Sequence, residues 1–433
     1  MKFIKHISLY TFVGLFGGAI NFFVMPVLSH YLSPTDYGLL ALFNSYVTIL
    51  IPLTGLLANS IISIEFFKEK DRSVFADKFT SVQVVPFVVA LIGCLFVWQF
   101  YSASAQFLEL EKTSRIWGFI IVFITLSTIY VEQLFTLLII EKKAGLYAAL
   151  MMSRVAIEVT ITIYFVVYRG MNWQGRMYSW AITSLLYATT GFIYFYRNGY
   201  LRGRIKLPFI KQSVLFGLPL ILHTVGKFVV NQSDRLFIAK MVSLDEAGIY
   251  TIGYTMGMLI LIIINAFFNF YAPFVLERLT NLTDEKKLQI VRLNYLYIVA
   301  IIAILILITV VTPFFFDYFI NDRYNKGVKY VFWVGLGYFF WGGYMLFVVY
   351  INYFNKNSIL GWLAVVNVLT NLLFNYLFIK WVGAIGAAYA TALSFFLIFV
   401  IIAYHSNKLV RLPWLNFNLI FKGGLRKSIS DIS

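Results

Sequence analysis

The sequence is short of charge. Only 12% of its 433 residues are Asp, Glu, Lys or Arg, whereas a soluble globular domain carries roughly 25%. Hydrophobic residues make up 61% of the chain, and apolar runs longer than the roughly 18 residues needed to cross a bilayer recur along it. A water-soluble globule is therefore excluded, and the sequence predicts a polytopic helical membrane protein.

Cysteine is nearly absent, and so are the motifs of several enzyme classes. Cys94 is the single cysteine and lies in an apolar run, which excludes an intrachain disulfide framework and a cysteine-based metal cage. No GxxxxGK(S/T) phosphate loop occurs, the nearest stretch being KGGLRKS, and neither HExxH nor GxSxG is present. We therefore expect no ATP hydrolysis, no catalytic residue, no metal and no cofactor.

Apolar segments separated by short polar loops predict twelve membrane spans. The first is expected to be retained, because it is too long for a signal sequence and lacks a small-residue cleavage site. By residue number, the segments are 7–31, 39–62, 80–101, 116–139, 146–167, 177–196, 213–238, 249–270, 290–313, 328–352, 359–379 and 383–404.

The excess of basic residues predicts the orientation in the membrane. The formal net charge is +16, which in a soluble protein would suggest a nucleic-acid partner. With a cytoplasmic N-terminus, 23 Lys and Arg lie on the cytoplasmic side and 9 on the other, and this asymmetry favours both termini inside. No nucleic-acid partner is expected. The basic linker at residues 201–212 fits the same bias, and contact with an anionic ligand is the alternative.

The two halves of the chain share a sequence pattern. LSPTDYGLLAL at residues 32–42 matches VSLDEAGIYTI at an offset of 210, and GRMYSWAIT at residues 175–183 matches GAAYATALS at an offset of 211. Because six spans in each half enter the membrane in the same direction, the pattern implies a parallel repeat with the substrate path between the halves. The expected organisation is an N-terminal six-helix bundle (1–200), the linker, a C-terminal six-helix bundle (213–406) and an interfacial cytoplasmic tail (407–433).

The first matched segments also predict helix starts. SPTD and SLDE fit a capping box, in which the serine hydroxyl and the acid three residues later satisfy backbone donors. Asp36 and Glu246 are therefore predicted to cap helices. The alternative is a metal-binding carboxylate of a lipid-linked glycosyltransferase in the first outer loop.

Three longer motifs carry a family resemblance. LSPTDYGLLALFNSYVTIL, NQSDRLFI and NVLTNLLFNYLFIKWVGAIGAAYATALS resemble the Wzx-type flippases of O-antigen, lipopolysaccharide and capsule synthesis. These flippases belong to the polysaccharide biosynthesis branch of the multidrug/oligosaccharidyl-lipid/polysaccharide exporter superfamily. The resemblance implies a twelve-helix, two-bundle transporter that moves undecaprenyl-pyrophosphate-linked repeat units across the bacterial inner membrane. Membrane lipids, a polymerase and a chain-length regulator are the partners it suggests.

Polar groups recur along one face of the seventh span. His223, Lys227, Asn231 and Arg235 follow at intervals of four residues, and Asp234 lies beside the last. Ionisable groups at bilayer depth cost roughly 2.5 to 3.5 kcal/mol each, so they need a cavity, a partner or a function. We predict that Lys227, Arg235 and Asn231 bind substrate and that His223 and Asp234 serve coupling or gating. The alternative is polar packing between helices.

The fourth, fifth and eleventh spans add further candidates. Arg154 and Glu158 are four residues apart and are expected to pair along their helix, with Arg154 assigned to substrate and Glu158 to coupling or gating. Glu132 has no partner on its own helix, so we expect it to neutralise Arg154 or Lys227 and to serve coupling. Asn371 belongs to an asparagine row that either binds sugar hydroxyls or packs helices together.

Two other functions compete with a flippase. A proton- or sodium-coupled multidrug or cation antiporter has the same architecture, but the first span carries Asn21 where an acid for cation coupling is expected. A membrane glycosyltransferase or polymerase would need a larger outer loop than this chain has.

Overall fold

The computed structural model describes residue 22 and residues 24–107 and 113–414. Within these ranges the chain is helical and contains no β-strand. Its contacts divide it into two units, one that ends at Ile249 and one that begins at Tyr250. Each unit is built from helices long enough to cross a bilayer.

The first unit holds the helical residues 24–31 and seven further described helices that are longer than a single turn and end within it. They are α1 (Pro34–Gly55), α2 (Ala58–Lys68), α3 (Arg72–Phe107), α4 (Arg115–Ile140), α5 (Ala144–Ile163), α6 (Asn172–Arg197) and α7 (Leu207–Met241). The closest packing is between α4 and α6, while α1 packs against α4 and α7. Aromatic rings fill the core near the linker, where the centroids of Phe79 and Phe195 lie 5.1 Å apart.

The predicted capping box of Ser33 and Asp36 is confirmed, and Ser243 caps the second predicted helix start. The Ser33 hydroxyl accepts from the Asp36 N–H at 3.1 Å, and the Asp36 carboxylate accepts from the Ser33 N–H at 2.9 Å. The Ser243 hydroxyl likewise accepts from the Glu246 N–H at 3.1 Å, at the start of α8 (Leu244–Gly257). These bonds satisfy backbone donors that a helix start leaves unpaired, and the Asp36 carboxylate thus acts in local structure, while the capping role of the Glu246 carboxylate stays a prediction.

The predicted second span is interrupted. Leu56 and Leu57 adopt left-handed φ angles of 43° and 55°, which separates α1 from α2 within the segment 39–62. Such angles are uncommon for residues other than glycine. Pro52 in the last turn of α1 loosens the helix before the break, and α2 therefore begins inside the membrane segment.

The second unit continues α8 and adds five more helices to the described structure. They are α9 (Leu259–Thr280), α10 (Asp284–Phe319), α11 (Val328–Tyr353), α12 (Asn357–Val382) and α13 (Ile385–Leu409). The dominant packing is of α11 and α12 against α13. After α13 the chain folds back toward α10, where the Tyr295 hydroxyl donates to the Trp414 carbonyl at 2.6 Å. Residues 415–433 of the predicted tail lie outside the described residues.

The glycines and tyrosines that the sequence comparison paired make close contacts inside their own units. A Cβ on Gly175 would lie 3.2 Å from the Phe165 carbonyl carbon, and one on Gly386 would lie 2.3 Å from the Phe378 carbonyl carbon. Trp117 and Tyr178 have ring centroids 5.3 Å apart in the first unit. In the second unit, the centroids of Trp333 and Tyr389 are 4.6 Å apart. Gly175 with Gly386 and Tyr178 with Tyr389 are pairs that the sequence comparison aligned.

In the described part of the chain, nine helical stretches are long and apolar enough to cross a membrane. The protein is therefore an all-helical, multi-pass membrane protein. Of the other predicted spans, 7–31 lies mostly outside the described residues. Segment 177–196 lies within α6, which is not among these nine, and segment 213–238 lies within α7, whose side chains are described only in part. The count of twelve stays a prediction.

Candidate functional site

Polar groups of the first unit meet where α2, α4 and α5 approach one another. The Asn59 amide, in the first turn of α2, donates to the Glu132 carboxylate at 3.1 Å. Arg154 on α5 interacts electrostatically with the same carboxylate. Arg154 thus acts on Glu132 from beyond ion-pair distance, and the expected neutralisation of Glu132 stays a prediction. The break between α1 and α2 gives Glu132 a direct partner in Asn59.

Arg154 is half-buried at membrane depth. Within the described ranges, no acidic oxygen lies within the 4.0 Å of an ion pair from its guanidinium. A guanidinium has five donors in a planar fork that matches the oxygens of a carboxylate or phosphate. Arg154 can therefore accept an anion without first breaking a direct ion pair.

Glu158 does not pair with Arg154, so that expectation was wrong. Its carboxylate pairs with Arg176 on α6 at 2.7 Å, and Arg176 also donates to the Thr162 hydroxyl at 3.0 Å. An arginine placed before a glutamate at a spacing of four is the less favourable order along a helix. The contact with Arg176 adds a second hydrogen bond, which explains why the interhelical pair forms instead.

The backbone around this pair is also unusual. The hydroxyls of Thr162 and Ser179 each lie 2.7 Å from the Glu158 carbonyl oxygen, and both side chains are fully buried. One turn later the helix widens into a π-helical turn at Tyr164–Tyr168. Such turns are rare in proteins as a whole, but those that occur frequently lie at functional sites.

The seventh span carries a buried ion pair between neighbours. Arg235 and Asp234 lie 2.6 Å apart with 7% and 1% of their side chains exposed. Arg235 also donates to the Asn231 carbonyl at 2.7 Å. The contact matches the structural alternative for these two residues. His223 and Lys227 lie on α7, but their side chains are outside the described part of the structure.

The asparagine row of the eleventh span faces α13. Asn371 donates to the Ser394 hydroxyl at 3.3 Å, and Asn375 donates to the Asn371 carbonyl oxygen at 3.0 Å. Neither asparagine side chain is exposed to solvent in the second unit. These bonds match the helix-packing alternative for Asn371, and its assignment to sugar hydroxyls stays a prediction.

The predicted basic linker is held firmly against α3. The Asp77 carboxylate accepts from the Arg204 N–H and from the Lys206 ammonium, both at 2.6 Å. A Cβ on Gly203 would lie 2.2 Å from the Ala76 carbonyl oxygen, so the two backbones touch. Lys206 is thereby committed to an internal partner, whereas Arg204 remains exposed.

A second cluster of charged and tyrosine side chains surrounds Glu141, directly after the end of α4. Glu141 pairs with Lys143 at 2.6 Å and accepts from the Tyr194 and Tyr200 hydroxyls at 2.5 and 2.6 Å. Burial alone would raise the pKa of Glu141, but these hydrogen bonds outweigh burial and lower it. The carboxylate is therefore ionised at neutral pH and holds three partners together.

Sequence reasoning missed Arg176 and Asn59. Arg176 was counted with the outer loop before the sixth span, although α6 begins at Asn172. Its position four residues after Asn172 gives no signal that it reaches α5. Asn59 is a single polar residue in an apolar run, and its role depends on the helix break that the sequence pattern does not predict.

The chain matches known proteins along its length. The family model described as "Polysaccharide biosynthesis protein" matches residues 3–275. The "Lsg locus putative protein 1" of Haemophilus influenzae is 25% identical over 420 residues, which cover 92% of this chain and 98% of that protein. An "Uncharacterized membrane protein" of the same organism is 23% identical over 340 residues, covering 76% and 78%.

Solved structures share the fold. The lipid II flippase MurJ in an inward closed conformation aligns with a TM-score of 0.72 at 13% identity, covering 100% of this chain and 89% of that one. An inward-facing multidrug resistance MATE family transporter of the MOP superfamily aligns at 0.68 and 14%, covering 90% and 94%. The resemblance drawn from the sequence motifs is confirmed: the chain belongs to the polysaccharide biosynthesis protein family, with the fold of MOP-superfamily transporters.

Proposed function

We propose that this protein is a flippase for lipid-linked oligosaccharides. It moves undecaprenyl-pyrophosphate-linked repeat units from the cytoplasmic to the outer leaflet of the bacterial inner membrane, without changing their covalent structure. Both termini are cytoplasmic in this proposal, as the distribution of basic residues favours. The polymer is an O-antigen, a capsule or another surface polysaccharide, and a polymerase and chain-length regulator act on the flipped unit.

The single observation that carries the proposal is the state of Arg154. A half-buried arginine in a membrane span without a direct ion-pair partner among the described residues is costly unless it faces water or an anionic ligand. A pyrophosphate supplies the planar arrays of oxygens that a guanidinium binds best. We assign Lys227, Arg235, Asn231 and Asn371 to the same substrate path as further candidates.

Energy for the movement comes from an ion gradient in this proposal. Glu132, Glu158, Asp234 and His223 are the candidate coupling or gating groups, since each is ionisable within a membrane span. Glu132 is the best supported, because Arg154 and Asn59 both act on its carboxylate. An anionic substrate bound at Arg154 would compete with the Glu132 carboxylate for this arginine. The charge state of Glu132 would therefore depend on whether the substrate site is occupied.

An internal repeat supports movement by alternating access. Gly175 and Gly386 each lie close to a phenylalanine of their own unit, and Tyr178 and Tyr389 each pack on a tryptophan, which supports this part of the proposal. We propose twelve helices in two six-helix bundles related by this repeat. In parallel repeats of this kind, rocking of the halves exposes a site between them to one side of the membrane at a time.

A multidrug or organic-cation antiporter is the second candidate. The MATE fold supports it at a TM-score of 0.68. An antiporter of cations needs unpaired acids in its path, whereas the described acids Glu158 and Asp234 are each neutralised by an arginine. Inhibition of lipid-linked sugar transport by an organic cation in the micromolar range would favour this candidate.

The experiment uses purified protein in vesicles that contain an undecaprenyl-pyrophosphate-linked oligosaccharide. Transfer between leaflets is followed with a glycosidase or lectin that reaches only the outside. We expect Arg154→Lys to retain more transfer than Arg154→Ala, which loses at least tenfold. Arg169→Ala is the matched control, because Arg169 is fully exposed at the end of the same span and should not alter transfer. Equal rates in all variants would remove Arg154 from the substrate path.

A further inference from the structure

The linker between α6 and α7 presents basic and apolar side chains together. Ile205 and Leu207 are 62% and 75% exposed, and Arg202 and Arg204 are exposed beside them. The guanidinium carbon of Arg202 lies 5.4 Å from the ring centroid of Tyr196, which is itself 61% exposed. These five residues, here called the linker surface, all belong to the unit that ends at Ile249.

The backbone beneath the linker surface is fixed. The Thr80 hydroxyl donates to the Tyr200 carbonyl at 3.1 Å, and the Lys206 N–H donates to the Ser81 hydroxyl at 2.9 Å. Together with the backbone contact at Gly203, these bonds hold the linker against α3 at several points. Because the linker is already ordered, a ligand that binds there does not have to order it, and less conformational entropy is lost on binding.

The acids nearest the linker are turned inward. The side chains of Asp77 and Glu141 are only 16% and 8% exposed, and each is paired with a lysine. Within the described ranges, no carboxylate oxygen lies within 4.0 Å of the Arg202 or Arg204 guanidinium. The linker surface therefore carries two positive charges that no direct ion pair cancels.

The mixture of side chains favours a lipid over a soluble anion. A guanidinium matches the oxygens of a phosphate group, and a free phosphate could use both arginines. Such an anion would nevertheless leave Ile205 and Leu207 in water. A phospholipid supplies a phosphate and an apolar chain within one molecule, and tyrosine side chains are favoured at headgroup level. Basic residues on the cytoplasmic side of a membrane span bind anionic headgroups in the same way.

We propose that the linker surface binds an anionic phospholipid of the cytoplasmic leaflet. The phosphate lies at Arg202 and Arg204, and the apolar part of the lipid contacts Ile205 and Leu207. The bound lipid holds the junction of α6 and α7 at headgroup level. The choice of leaflet rests on the topology that the basic residues predict, whereas the binding itself does not depend on what the protein transports.

The experiment measures lipid preference beside the linker. Purified protein with a fluorophore on Pro208→Cys, in a Cys94→Ala background, is reconstituted into vesicles of phosphatidylcholine and phosphatidylglycerol. Pro208 is exposed and adjoins the linker surface. A nitroxide near the headgroup end of the acyl chains, carried by one lipid or the other, quenches the fluorophore. The ratio of quenching by the two lipids gives their relative binding.

We expect phosphatidylglycerol to be preferred about thirtyfold, which corresponds to about 1 kcal/mol for each of the two arginines. Arg202→Gln/Arg204→Gln should bring the preference close to one. Salt at about 1 M should do the same in the unmodified surface, because it shortens the Debye length to about 3 Å. Ile205→Ser/Leu207→Ser should weaken quenching by both lipids and leave their ratio unchanged, since apolar contacts do not distinguish the headgroups.

Arg115→Gln/Arg169→Gln is the matched control and should keep the full preference. Both arginines are exposed in the same unit, and Arg115 lies over the Trp98 ring at 5.7 Å much as Arg202 lies over a tyrosine. Equal quenching by the two lipids in the unmodified surface would overturn the proposal, as would a preference that survives the loss of Arg202 and Arg204. Displacement of phosphatidylglycerol by millimolar inorganic phosphate at constant ionic strength would show that the surface takes a free anion instead.

Discussion

The ion pair between Glu158 and Arg176 offers a quantitative test of the interhelical contact. Removing one partner leaves the other charge uncompensated, which costs about 3 to 5 kcal/mol for a fully buried pair. Here 19% of the Glu158 and 21% of the Arg176 side chain is exposed, so we expect about 2 to 3 kcal/mol for Glu158→Gln. Arg176→Gln should cost slightly more, because it also weakens the bond to Thr162.

The variants are compared by thermal unfolding of purified protein in one detergent. The double variant Glu158→Gln/Arg176→Gln should lose less than the sum of the single losses, with a coupling free energy of about 1 to 3 kcal/mol. The matched cycle of Arg154→Gln and Glu158→Gln should be additive within about 0.5 kcal/mol, since these two side chains form no ion pair. Additivity in the first cycle and coupling in the second would refute the reasoning.

Three other predictions concern the substrate path, the topology and the cluster around Glu141. Lys227→Arg should retain more transport than Lys227→Gln at matched protein levels, since the charge of this side chain is expected to matter more than its bulk. Equal activity of the two variants would show that Lys227 takes no part in transport. In a Cys94→Ala background, a cysteine at position 204 should be shielded from an impermeant thiol reagent outside spheroplasts, and one at position 106 should be labelled; the opposite pattern would reverse the topology. Glu141→Gln should lower thermal stability at neutral pH. Because the folded pKa of Glu141 is lowered, its contribution is present above the unfolded value and is lost as the pH falls through the folded one. A stability difference that persists at the acidic end would contradict this assignment.

Much of the fold could be predicted because bilayer physics acts on single segments. Each long apolar run must be a helix in lipid, and the capping boxes at Ser33 and Ser243 depend on residues only three positions apart. The internal repeat stays a prediction, which rests on glycines and tyrosines paired at offsets of 210 and 211. Such features can be predicted without knowing which helices pack against each other.

The partners of the charged side chains could not be predicted, because they depend on packing between helices. Glu158 was expected to pair with Arg154, its neighbour along α5. It instead pairs with Arg176, which lies on α6. Asn59 reaches Glu132 only because Leu56 and Leu57 break the second span. Helical periodicity places residues on a face but does not tell which residue of another helix lies opposite.

The most direct test of the central claim is the fate of the lipid-linked sugars in a strain that lacks the gene. The proposed function predicts that completed repeat units accumulate on their lipid carrier, facing the cytoplasm, and that no surface polymer is made. An enzyme of sugar transfer would instead leave shortened or unlinked units. Shortened sugars, or full-length units already on the outer leaflet of the deletion strain, would contradict the flippase assignment.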